Sequence, residues 1–307
     1  MKIITEASGP VSPAAVVSIG MFDGVHRGHR RVLQRLREIG QNHGAPTVLV
    51  TFDPHPRAVL RPESAPPLLS SLADRMELLS ATSALDYCLV LPFDRSRGEQ
   101  TADDFVKDTL VRRLGIRALV VGENFMCGRR RQGDVSHLRA LGAKLGFAVH
   151  PVPLRTSFDT SLNHCSSSET RRLIQIGDVT SAAVLLERPH ELTGVITRSA
   201  QTISDPIDVV LPDGMCTPAA DHYAGAVRKK GTAAPWTPAI LQVGEDRVAK
   251  GRSVRLVTAE GLAVSFGDLM TLRFLGRASD SRGGRTADPA LSSPDLCNGA
   301  IVAHAAS

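Results

Sequence analysis

Between Val16 and Val152 short apolar runs alternate with amphipathic helical stretches, and that alternation leaves few folds open. Strands are expected at Val16 to Ile19, Val48 to Phe52, Tyr87 to Leu91, Ala118 to Val121 and Ala148 to Val152. Helices are expected between them at Gly28 to Ile39, Leu72 to Ala81, Ala102 to Leu114 and Val135 to Leu145. Apolar residues spaced as Val32, Leu33, Leu36 and Ile39 give a helix one buried face, and strands joined by crossover helices pair in parallel. The expected class is α/β, a Rossmann-like doubly wound parallel sheet whose ligands bind beyond the carboxyl ends of its strands.

Ser166 to Leu186 reads as a helix pair, with Gly177 ending the first helix and Asp178 capping the second. After Arg188-Pro189 the character changes. Leu192 to Thr197, Ile207 to Leu211, Tyr223 to Arg228, Ala239 to Val243, Val254 to Thr258 and Leu269 to Leu275 are short apolar runs divided by Gly, Pro and Asp. Such a series predicts a small antiparallel β-barrel. The expected organisation is therefore a nucleotide-site domain over 1–188, a barrel over 189–278 and a disordered Ser/Ala/Pro-rich tail over 279–307.

Composition narrows the function classes. The chain has 307 residues, 42% of them hydrophobic and 22% charged, as expected of a globular protein with room for two cores. Its net charge of +5 suits anionic small ligands. A nucleic-acid surface would want a basic stripe with stacking aromatics, whereas aromatics make up 4% and Arg129-Arg130-Arg131 is the one dense basic run. The five cysteines show no C-x-x-C spacing, so neither a disulfide framework nor a zinc knuckle is implied. No signal-peptide pattern or membrane-length apolar run occurs, and a reducing cytoplasm without membrane partners is expected.

The run Ser18-Ile19-Gly20-Met21-Phe22-Asp23-Gly24-Val25-His26-Arg27-Gly28-His29 lies where the first of these strands gives way to a helix. A helix start offers backbone N–H groups and partial positive charge, and Gly20, Gly24 and Gly28 let a backbone approach a ligand closely. His26 and His29, three apart, can point at one phosphate group and stabilise charge there. Histidines so spaced also occur as plain surface residues, and an H-x-x-H pair can hold a metal, although no Cys or third His follows nearby.

The stretch G-x-F-D-G-x-H-x-G-H resembles the signature of the H-x-G-H nucleotidyltransferases. Four further blocks follow in order: Val50-Thr51-Phe52-Asp53-Pro54-His55-Pro56; Leu69-Ser70-Ser71-Leu72 with Arg75; Val120-Val121-Gly122-Glu123-Asn124-Phe125 with Gly128 and Gly133-Asp134; and Ser166-Ser167-Ser168-Glu169-Thr170-Arg171. Together they resemble the bacterial bifunctional riboflavin kinase/FAD synthetase family, closely over the first domain and poorly after it.

The resemblance implies an FMN adenylyltransferase that joins FMN to the AMP of ATP, with Mg²⁺ accompanying ATP and FAD and pyrophosphate as products. It implies that His26 and His29 hold the ATP phosphates, with Gly20, Phe22, Asp23, Gly24 and Gly28 shaping the loop beneath them. Ser166, Ser167, Ser168 and Arg171 form the other half of that phosphate site; a serine there is also an ordinary helix cap. Phe52, Asp53, His55 and Pro56 form one wall for the flavin, with Asn124 and Phe125 beyond the fourth strand. Ser168 replaces the family's Thr, Thr170 its Ile, and Cys127 a position more often aromatic. No metal ligand is assignable.

In the family, the barrel phosphorylates riboflavin and carries Pro-Thr-Ala-Asn after its first strand. Here that stretch is Thr197 to Pro206, without the motif, and Arg255 stands where the family's glutamate base is expected. A cation cannot accept a hydroxyl proton. The expectation is adenylyl transfer without riboflavin kinase activity, with FMN supplied by a separate kinase. Two alternatives remain at this point: a nucleotidyltransferase for a modified flavin or for CTP, and a non-catalytic flavin or nucleotide sensor.

Overall fold

The structure, a computed structural model, describes residues 1–6, 14–153, 165–199, 205–248, 251–258 and 262–279, the side chains of 245–248 excepted. The first unit is built on strands β1 (Lys2–Ile4), β2 (Val16–Ile19), β3 (Thr47–Asp53), β4 (Tyr87–Pro92), β5 (Ala118–Gly122) and β6 (Ala148–Val152), in the spatial order β1-β4-β3-β2-β5-β6. Every pairing is parallel, with Val16 opposite both Thr47 and Ala118.

Because side chains alternate along a strand, each central strand feeds two cores. Val17, Ile19, Val48, Val50, Leu119 and Val121 face one side, and Val16, Leu49, Ala118 and Val120 the other. Helix α1 (Arg27–His43) and helix α2 (Leu72–Ala81) cover the second face through Val32, Leu33, Leu36, Ile39, Met76 and Leu79. Helix α3, α-helical over Ala102–Phe105 and π-helical over Val106–Arg113, covers the first face with helix α4 (Val135–Leu145). After β2 the chain steps outward to β3 and β4, then crosses back to β5 and β6. The strand order thus reverses between β2 and β5, where doubly wound sheets hold ligands.

Helices α5 (Ser167–Gln175) and α6 (Val179–Leu186) form the expected pair. Gly177 turns with φ 84° and the Asp178 side chain accepts from Ser181 N–H. Six antiparallel strands then close a barrel: β7 (His190–Arg198), β8 (Ile207–Pro212), β9 (Asp221–Lys229), β10 (Thr237–Val248), β11 (Gly251–Thr258) and β12 (Leu269–Arg277). Its interior is filled by Leu192, Ile196, Val209, Leu241, Leu256 and Phe274, with others of their kind.

Expectation and structure differ in three places. The sheet has six strands rather than five, because Lys2–Ile4 pairs at the edge with Tyr87, Cys88 and Leu89; three residues with only Ile4 buried carry no readable alternation. A small hairpin pairs Met126–Cys127 with Gly133–Asp134. Two short helices, Pro56–Leu60 and Arg95–Glu99, lie in stretches for which no element is expected. The expected tail beyond Ser279, and 200–204 within the expected kinase stretch, lie outside the described residues.

The barrel holds the segment 68–77 of the first unit directly. Leu68 N–H donates to Gly214 O and Cys216 N–H to Leu68 O, both at 2.7 Å. Lys230 Nζ donates to Asp74 Oδ1 at 2.7 Å and to Glu77 Oε2 at 2.6 Å, and Thr193 Oγ1 donates to Asp74 Oδ1 at 3.3 Å.

Candidate functional site

The chain leaves β2 through a tight coil in which Phe22, Gly24 and Val25 take positive φ, at 50°, 74° and 42°. For Phe and Val that backbone is strained, so the surroundings must enforce it. They do so through Asp23. Its buried carboxylate accepts from Leu69 N–H at 2.9 Å, Ser70 N–H at 3.0 Å, Ser70 Oγ at 3.1 Å and Arg171 Nη2 at 2.7 Å. Ser70 Oγ lies 3.1 Å from Gly24 N–H as well.

The expected loop glycines pack against the chain itself. A Cβ at Gly24 would fall 2.9 Å from Leu69, one at Gly20 2.9 Å from the Phe22 ring, and one at Gly28 3.1 Å from the His26 ring. Within the chain itself they make room for close packing.

His26 is the N-cap of α1: its Nδ1 accepts from His29 N–H at 3.3 Å, so the proton of the neutral ring sits on Nε2. The two imidazoles stack with centroids 3.6 Å apart and planes at 17°, and Phe22 backs His29 at 4.6 Å. Gly28 N–H is bound to Cys165 Sγ at 3.3 Å, and that sulfur is 3.6 Å from His26 Nδ1. The expectation that these two N–H groups at the start of α1 stand open is therefore corrected. Cys165 offered no sequence signal, being visible only as the residue before Ser166.

Electrostatics keeps the histidines neutral. Burial, opposed by Asp23 and aided by Arg171 and Arg188, holds His26 down to about 4. Burial, then His26, Arg171 and Arg75, holds His29 well below the usual histidine range. His55 is held to about 4 by burial and then by Arg171, which puts the Asp53-Pro54-His55-Pro56 loop within the field of the same centre. Around neutral pH these imidazoles are N–H donors, and the fixed positive charge resides on guanidiniums. One of them, Arg188, is itself pushed down to about 10 by burial.

The serine block arrives from far along the chain. Ser166 caps α5 by accepting from Glu169 N–H at 3.2 Å, Ser167 Oγ donates to Asp23 O at 3.4 Å, and Ser168 is exposed. Arg171 is buried, with Nε donating to Pro67 O and Nη2 to Asp23, both at 2.7 Å. The structure thus brings the histidine loop and the serine block together on Asp23, while Arg171 spends two of its donors inside the protein.

The expected flavin wall is more dispersed. Phe52 is half-buried against Phe93 and Phe105, and Phe125 packs on the same core. Asp53 is exposed at the end of β3, and its bond to Pro54 is cis. His55 Nδ1 accepts from Arg57 N–H at 3.1 Å, capping the short helix that Pro56 starts. Asn124 is exposed on the turn 122–125 after β5, beside the end of β2. Cys127 packs against the core with its thiol pushed up to about 12 by burial. Among the described residues no three His, Cys, Asp or Glu side chains cluster as metal ligands, and no helix is long and apolar enough to cross a membrane.

Residues 10–168 match the family model described as FAD synthetase. The bifunctional riboflavin kinase/FMN adenylyltransferase of Escherichia coli (strain K12) is 34% identical over 179 residues, 58% of this chain and 56% of that protein. The chain thus aligns with little more than half the length of that relative. The Haemophilus influenzae protein of the same description is 31% identical over 223 residues, 72% of this chain and 71% of that one. A solved structure described as a macrolide-efflux protein from Streptococcus pneumoniae superposes with a TM-score of 0.76 over 90% of this chain and 91% of its own. At 21% identity that likeness is one of fold alone.

Two outcomes are expected of this geometry. Asp23→Ala strands a buried guanidinium and two backbone N–H groups, and should cost about 3–5 kcal/mol in urea unfolding; a loss below about 1 kcal/mol would show that the hub is dispensable. Stability should also fall with acid. His26 and His190, each held to about 4, stay neutral in the folded protein while the unfolded chain takes up protons below about pH 6.5. Between about pH 6.5 and 4 each should cost on the order of 3 kcal/mol, read as a falling melting temperature; a flat profile would contradict it.

Proposed function

The chain belongs to the FAD synthetase family, and on that footing we propose that it transfers the adenylyl group of ATP to FMN, yielding FAD and pyrophosphate. The observation that carries this reading is the convergence on Asp23 of the His26–His29 stack and the Ser166–Arg171 helix start, which are 148 positions apart from Asp23 to Arg171. One anion can then meet imidazole N–H groups from one segment and hydroxyls from another.

In the reaction an FMN phosphate oxygen attacks the α-phosphorus of ATP, one O–P bond forms, and the bond to the bridging oxygen breaks to release pyrophosphate. The nucleophile is already ionised, so the protein's part is positioning and charge stabilisation. His26 offers Nε2–H to a phosphate oxygen, and His29, stacked on it, offers its ring from the same side. Ser167 and Ser168 supply hydroxyls at the α5 start, and Arg171 supplies positive field from beneath. Asp53, His55 and Asn124 are the candidate polar contacts for the flavin and its phosphate. Mg²⁺ would enter with the ATP phosphates; among the described residues no three His, Cys, Asp or Glu side chains group to hold it.

The barrel is proposed as a scaffold without kinase activity. Its interior is filled with apolar side chains, and Arg255, the position that the resemblance gives to the family's glutamate, donates from Nε to Asp208 Oδ1 at 3.0 Å. An acceptor for the riboflavin hydroxyl proton is replaced there by a paired cation.

Purified protein with FMN, ATP and Mg²⁺ should give FAD and pyrophosphate in equal amounts by liquid chromatography; formation of neither would overturn the reading. His29→Ala should lower kcat by about two orders of magnitude or more with the melting temperature kept, since its contact matters chiefly in the transition state. Riboflavin in place of FMN should give no FMN; its appearance would restore kinase activity to the barrel.

A further inference from the structure

Arg75 is 2% exposed and belongs to none of the groups assigned above to phosphate or flavin. Its guanidinium reaches from α2 under the carboxyl ends of β2 and β3. Nη1 donates to Met21 O at 3.2 Å and Nη2 to Phe52 O at 3.3 Å, while Nε is buried without a partner. The two acceptors lie on different loops. Met21 stands in the coil that leads to His26 and His29, and Phe52 opens the Asp53-Pro54-His55-Pro56 loop.

Among the described residues no carboxylate makes a hydrogen bond or ion pair with this guanidinium, and Asp23 and Asp53 act on its charge only from farther off. A charge buried without a direct counter-ion is costly unless its donors are met. An apolar side chain of similar volume would pack that space at less cost, so stability alone gives no reason for an arginine. A planar fork, however, can hold two acceptors at a fixed separation, which a single ammonium cannot. Thr51 adds to the same link by donating from Oγ1 to Met21 O at 3.4 Å. The strut is itself held: Ser71 caps α2, and Asp74, the neighbour of Arg75, is gripped by Lys230 and Thr193 of the barrel.

We propose that Arg75 is a positioning residue that fixes the spacing between the nucleotide loop and the flavin loop. The inference rests on the adenylyl-transfer reading, in which one loop carries the α-phosphorus and the other its attacking phosphate. Misplacing reacting groups by about 1 Å can cost on the order of a hundredfold in rate while each substrate still binds. Arg75 also adds positive charge beneath both loops, which favours two anions meeting there.

The test separates binding from turnover. Wild type, Arg75→Met, Arg75→Lys and Thr51→Val are compared for kcat with FMN and ATP, for ATP affinity by calorimetry without flavin, and for FMN affinity by fluorescence without nucleotide. Arg75→Met should lose about a hundredfold in kcat, with each single-substrate affinity changed by less than about threefold. Arg75→Lys keeps the charge without the fork and should lose about tenfold or more; Thr51→Val should lose several-fold. Wild-type turnover in Arg75→Lys would show that charge alone matters and overturn the positioning role. An affinity loss that matches the kcat loss would overturn it too, as a structural defect. Should Arg75→Met fail to fold, Thr51→Val still decides, since unchanged kcat in it would contradict the link. If wild type makes no FAD, it is the adenylyl-transfer reading that fails, and Arg75 is left without the task proposed for it.

Discussion

The Asp23 carboxylate is the constraint on which the site depends. It is almost fully buried and takes hydrogen bonds from two distant segments, the coil after Pro67, through the Leu69 and Ser70 N–H groups and the Ser70 hydroxyl, and Arg171 of α5. A buried ion pair is a poor source of net stability, because desolvation offsets much of the attraction. What this one supplies is geometry. With it in place, Phe22 and Val25 are held in a left-handed backbone that neither would adopt alone, and that backbone sets where His26 begins α1.

The barrel takes part in the same arrangement from behind. Leu68 pairs with Met215, Leu69 packs with Leu173, Ile174, Leu185 and Cys216, and His190 donates from Nε2 to Cys216 O at 2.8 Å. The strand-like contact at Leu68 lies one residue before the N–H that Asp23 holds. Lys230 grips α2 at Asp74, one residue before Arg75. The barrel thus has a physical task in this chain: its contacts hold the segment 67–75 beside the histidine loop.

Much of the fold was legible in the sequence because it rests on periodicity. Leu72–Ala81 and Val135–Leu145 begin and end where the sequence pattern places them, and all six barrel strands follow the apolar runs between turn residues. Lys2–Ile4 escaped because an edge strand of three residues has too little pattern to read. The residues of the candidate site could be named from the sequence, and the network that joins them could not. Histidine and serine blocks show in the sequence, yet their pairing through Asp23 and Arg171 is a tertiary fact with no local signature. Cys165 at the start of α1 and the Met21 and Phe52 carbonyls under Arg75 were hidden for the same reason. The glycines are ambiguous in the sequence, since close approach to a ligand and close approach to Leu69 leave the same mark there.

The neutrality of the histidines follows first from their burial and then from the guanidiniums of that network, and it bears on chemistry. Arg171 lies in the field of His26, His29 and His55, and Arg75 in that of the latter two, so each guanidinium lowers the imidazoles' hold on a proton. A site that kept imidazolium ions beside buried guanidiniums would carry repulsion in the absence of substrate. By leaving the charge on arginines, which do not titrate in this range, the protein keeps a positive field for an anion and reserves the imidazoles as directional donors.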